Sequence, residues 1–135
     1  MRNFLYDVVT LFDCMQDPAT RDWFAQLDLP VPDAIPPGRY PSPAEVQTVL
    51  EGIPGLRVSY LISDKVWTAN LTSREDVSWA SLSIKGYCGD PDLPHRFEFT
   101  AGWDEVILLT TTHLAKVCGP LVLMPDSGSA PKLVY

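Results

Sequence analysis

RFEFTAGWDEVILLTTTHLAKVCGPLVLMPDSGSAPKLVY, residues 96–135, holds the clearest structural punctuation in the chain. Gly102 precedes a helix, Asp104 and Glu105 fall in its first turn, Lys116 in its last, and Gly119-Pro120 stops it. Acids at the start and a base at the end match the partial charges of the helix termini. Trp103, Val106, Ile107, Thr110, Leu114 and Val117 recur at helical spacing, so one apolar face needs a sheet to cover it. The flanks supply strands. His95 to Thr100 alternates with Phe97 and Phe99 inward, while Leu121–Met124 and Lys132–Val134 form a hairpin whose turn chemistry lies in Asp126, Ser127 and Gly128.

Upstream, Leu56, Val58, Tyr60 and Ile62 alternate with more polar residues, Asp64-Lys65 makes a tight turn, and Trp67, Ala69 and Leu71 alternate on the return. Ser73 to Asp76 turns again into a strand over 77–87, with Leu82 and Ile84 on one face and Trp79 on the other. This is an antiparallel meander, followed by a loop with an acidic tip at Asp90 and Asp92. Before it, Ser42 and Glu45 stand in capping-box spacing around Pro43 and open a helix that ends at Gly52. Prolines 30, 32, 36, 37, 41 and 43 make 29–43 an extended connector that wraps the surface.

The first 28 residues predict a helical hairpin. Phe4, Leu5, Val8, Leu11, Phe12 and Met15 repeat at three and four residues, which predicts a helix from Asn3 to about Gln16 with Asn3 as cap. Asp17-Pro18 then starts a second helix through Trp23, Phe24 and Leu27. The whole chain, 1–135, is therefore expected to be a single α+β domain. Its mostly antiparallel sheet of about five or six strands is packed by N-terminal helices and one late helix.

With 135 residues, 46% of them hydrophobic, the chain has ample material for one core. The net charge of −7 is uneven: residues 1–55 hold eight acids against three bases. Such a half repels phosphate, which argues against nucleic acid and permits attraction to a basic protein, the plain alternative being that the charge serves solubility. Cys14, Cys88 and Cys118 are widely spaced and form no CxxC, so reduced, buried thiols are expected rather than disulfides or a metal site. No signal peptide or membrane-length apolar run is visible, which places the chain in the cytoplasm and away from membranes.

Few residues suggest catalysis. Cys88 lies between glycines 86 and 89 with His95 downstream, so a small enzyme using a Cys88/His95 pair is one alternative. Acids are its nearest charges, whereas a reactive thiolate needs a positive neighbour. His113 is a single helical histidine, and Asp104-Glu105 is explained by the helix start. Walker A, GxGxxG, HExxH and GxSxG patterns are absent, so no catalytic residue, cofactor or metal is assigned. Four tryptophans and five tyrosines point instead to surface recognition. Trp67 and Trp79, on neighbouring strands, are expected to share the meander's less buried face, the alternative being that they fill the core.

Phe99-Thr100-Ala101-Gly102-Trp103, the helix to Leu114-Ala115-Lys116-Val117-Cys118-Gly119 and the exit Leu121-Val122-Leu123-Met124-Pro125-Asp126-Ser127-Gly128 resemble small bacterial immunity proteins that neutralise polymorphic or contact-delivered toxins. The resemblance spans the last forty residues and the general layout, and it transfers no individual binding residue. It implies an acidic, cytoplasmic α+β protein that binds a toxin domain without catalysis. On that reading, the partner-binding residues are Asp17, Asp22, Asp28, Trp67, Trp79, Asp90 and Asp92. A structural or adaptor protein acting through self-association is the remaining alternative.

Overall fold

The alternation over 56–84 builds the larger half of a single antiparallel sheet, in a computed structural model that describes residues 5–75 and 77–135. In chain order the elements are β1 (Tyr6–Thr10), α1 (Leu11–Cys14), α2 (Pro18–Gln26), α3 (Pro43–Glu51), β2 (Leu56–Ile62), β3 (Trp67–Ser73), β4 (Trp79–Ile84), β5 (Phe97–Gly102), α4 (Asp104–Cys118), β6 (Leu121–Pro125) and β7 (Lys132–Val134). The seven strands lie in the order β2-β3-β4-β5-β1-β6-β7, all neighbours antiparallel. The α+β class holds, with one strand more than the sequence suggested.

The extra strand is β1, and it corrects the expected Asn3–Gln16 helix. Asn3 itself lies outside the described residues. Tyr6 and Val8 point into the main core while Val9 points into a second cluster on the opposite face. A central strand buried on both sides reads as a nearly continuous apolar run, which periodicity alone does not separate from a buried helix. β-branched Val8, Val9 and Thr10 favour the pleated surface. Only Leu11–Cys14 turns helical, capped by Thr10, whose Oγ1 accepts from Asp13 N at 3.2 Å.

The two faces carry different layers. On one, Val46, Leu50 and Ile53 around α3, with Val106, Ile107, Leu114 and Cys118 of α4, pack against Ala69, Leu71, Leu82, Phe97 and Phe99. On the other, Leu11, Cys14, Met15 and Phe24 form a smaller cluster with Val122, sealed by Leu29, Val31 and Ile35 of the proline connector. This second layer reaches Val9, Val122, Met124 and Leu133, the β1, β6 and β7 end of the sheet. The outer face of β2 to β5 shows Ser59, Asn70, Ser81 and their neighbours. Ser81 Oγ donates to Asn70 Oδ1 at 2.9 Å, and the Thr68 and Ser83 hydroxyls share a hydrogen bond at 3.1 Å. No helix among the described residues is long and apolar enough to cross a membrane.

The connector does wrap the surface. Arg39 N–H donates to Cys118 O at 3.0 Å, His95 N–H to Pro41 O at 3.1 Å, and the Tyr135 hydroxyl to Pro30 O at 2.8 Å. The capping box at Ser42 and Glu45 forms in both directions. Arg39 adds two bonds to the Glu45 carboxylate, at 2.9 and 2.5 Å. With the Ser42 amide these hold its pKa down at about 2.

Candidate protein-interaction surface

Residues 11–33 contain five aspartates, Asp13, Asp17, Asp22, Asp28 and Asp33, against one base, Arg21. All five aspartates are exposed, and none has an ion-pair partner among the described residues. The fold therefore concentrates acid on the α1–α2 layer without neutralising it.

Two of these acids are held in place by the ends of α2. Asp17 is its N-cap: Oδ2 accepts from Thr20 N–H at 3.3 Å and from Thr20 Oγ1 at 2.6 Å, and Pro18 fills the first helical position. The Thr20 hydroxyl is the main cause of Asp17's lowered pKa. At the other end, Leu29 N–H reaches Phe24 O at 3.2 Å and Asp28 N–H reaches Ala25 O at 3.1 Å, a Schellman closure. Asp28 occupies its left-handed position at φ 58°, a place usually given to glycine and tolerated by short polar side chains. Leu29 folds back into the same cluster as Phe24, the hydrophobic contact that accompanies this closure.

Beside the acids the layer exposes two large apolar side chains, Phe12 at 37% and Leu27 at 38%. Two exposed apolar side chains therefore stand on the same layer as the five exposed aspartates.

The other expected contact residues do not join this layer. Trp67 is only 3% exposed and packs edge-on against Tyr60 at 5.4 Å between ring centroids, so it belongs to the core. Trp79 is 36% exposed on the outer face of β4, opposite Thr72. The two therefore do not share a face. Asp90 and Asp92 sit in the β4–β5 loop, where Asp90 Oδ1 accepts from Asp92 N–H at 2.9 Å in a local turn. Asp92 also borders a depression with Ser42, Glu45 and Val117, beside the helices of the opposite layer.

The alternative read from the sequence is a Cys88/His95 pair. His95 lines a shallow cleft of about 620 Å³ with Arg39, Tyr40, Lys85, Pro94 and Arg96, and Cys88 is not among the lining residues. No hydrogen bond joins the two side chains, and His95 Nε2 is buried without a partner. The cleft's cations are already matched: Arg96 to Asp7 at 2.7 Å, Lys85 to Asp7 at 3.3 Å, and Arg39 to Glu45. Cys88 is exposed, against the expectation of three buried thiols. Cys14 and Cys118 are buried, and burial pushes both thiols up to about 11. Among the described residues no cluster of histidine, cysteine or carboxylate side chains has the arrangement of a metal site.

No protein-family model, curated protein or solved structure matches this chain.

Proposed function

We propose that the chain is a protein-binding module of the immunity type, acting in the cytoplasm, whose α1–α2 layer covers a cationic surface of a toxin domain. The observation that carries this reading is the acid of that layer, which has no ion-pair partner among the described residues, together with Phe12 and Leu27 exposed on the same layer. Asp17, Asp22 and Asp28 steer the partner, and the apolar pair supplies the contact that excludes water. Inhibition is steric: the layer occludes what it covers and needs no catalytic group or cofactor. Trp79, Asp90 and Asp92 lie on other surfaces and take no part in this contact.

The test is affinity for a cationic protein partner, measured against salt. The triple substitution Asp17→Asn, Asp22→Asn, Asp28→Asn should weaken binding roughly tenfold to a hundredfold at low ionic strength and flatten its salt dependence. Asparagine can still cap α2 and occupy the left-handed position, so the fold should survive. Binding that ignores both salt and the triple substitution would count against the acidic layer.

A further inference from the structure

The two edges of the sheet are built differently. β7 is three residues long, follows Pro131, and is tied down next to its end by the Tyr135 hydroxyl on Pro30 O. β2 is seven residues long, pairs with β3 without a break from Leu56 to Ile62, and contains no proline. An edge of that kind presents unpaired backbone groups, and soluble proteins usually blunt it.

The hairpin fixes which groups those are. Ser63 N–H donates to Val66 O at 2.8 Å and Arg74 N–H to Gly55 O at 2.7 Å, so the odd-numbered residues of β2 turn their backbone groups toward β3. Val58, Tyr60 and Ile62 therefore turn theirs outward. Leu56 N–H is used internally, by Ile53 O at 3.4 Å. Close to this edge lie Leu61, Ile62 and Val66, exposed at 65%, 47% and 44%.

We propose that β2 pairs antiparallel with β2 of a second copy of this chain, about a two-fold axis through Tyr60. The self-complementarity of the strand argues for this occupant. The outward residues are symmetric about Tyr60, so the axis sets Tyr60 opposite Tyr60 of the second copy and Val58 opposite its Ile62. Each can then exchange both N–H and C=O. Cross-strand pairs of aromatic and β-branched residues are favourable ones. Leu61 falls opposite Ser59 of the second copy and loses exposure. Any other register about a two-fold either leaves outward groups unmatched or runs into the Pro54-Gly55 turn. The joined sheet keeps both α1–α2 layers at its far ends, clear of the contact, so the pairing is independent of the acidic-layer reading.

Sedimentation equilibrium over rising concentration should show the mass move from 15.0 kDa toward twice that value. Ile62→Lys, placed at an already exposed site, should weaken self-association at least tenfold, with an unchanged melting temperature in protein dilute enough for parent and variant both to be monomeric. Amide exchange adds a second readout: the Val58, Tyr60 and Ile62 amides should slow as concentration rises. Three results would overturn the proposal: a single-chain mass at every concentration, a dimer whose Val58, Tyr60 and Ile62 amides exchange as fast as in dilute protein, or protection of these amides only on addition of a different protein.

Discussion

Gly102→Ala is expected to abolish cooperative folding or lower stability by about 4 kcal/mol or more, beyond the range of ordinary substitutions. Gly102 ends β5 opposite Ala80 with φ at 145°, a backbone conformation that side-chain-bearing residues rarely adopt. A Cβ there would stand 2.5 Å from both the Cα and the Cβ of Ala80 and 2.8 Å from Trp79 O. Those neighbours are mostly backbone of a central strand, and Trp103 N–H is already bound to Trp79 O at 2.9 Å at the entry to α4. Nothing there can yield without displacing the start of the helix. Gly55→Ala makes the control. Its φ is 77°, but nothing lies within 4 Å of an added Cβ, so only backbone strain of about 1–2 kcal/mol is expected. Urea unfolding of the two variants against the parent measures the difference. Equal losses would mean that the β4–β5 contact at Ala80 is looser than described.

Phe24→Ala should cost about 3–5 kcal/mol, and the loss should be local before it is global. Phe24 is 1% exposed and anchors the smaller cluster with Leu11, Cys14, Met15 and Val122. That cluster has few members, so the loss of its largest side chain removes much of what holds α1 and α2 to the sheet. A domain of this size is stable by only about 5–15 kcal/mol, and the larger core on the other face does not depend on Phe24. The expected result is faster amide exchange over residues 18–29 while β3 to β5 stay protected. Partner binding should fall too, because the acids then lack a fixed arrangement. If sheet and helices instead lost protection together, the two clusters would form one cooperative unit.

The readable parts of this sequence were those governed by local rules. β2 to β5 face water on one side, so their alternation is visible, and the Ser42 and Asp17 caps act through residues three positions away. β1 was hidden because both its faces are covered, and the four residues of α1 continue its apolar spacing and complete a false helical pattern. The separation of the tryptophans could have been read. Trp67 has the parity of Ala69 and Leu71, both fully buried, while Trp79 has the parity opposite to Leu82 and Ile84. Of the candidate surface, the acids at 17, 22 and 28 were visible as charge. The exposure of Phe12 and Leu27 was not, since it depends on how the layer sits against β1, β6 and β7, and no spacing in the chain encodes that seat.

Hydrogen exchange of the chain bound to a cationic protein partner of the kind proposed tests the central claim most directly. The acidic-layer account predicts new protection across residues 11–29, with the outer face of β3 and β4 around Asn70, Trp79 and Ser81 exchanging as in the free chain. Protection confined to that outer face, with 11–29 unchanged, would contradict it.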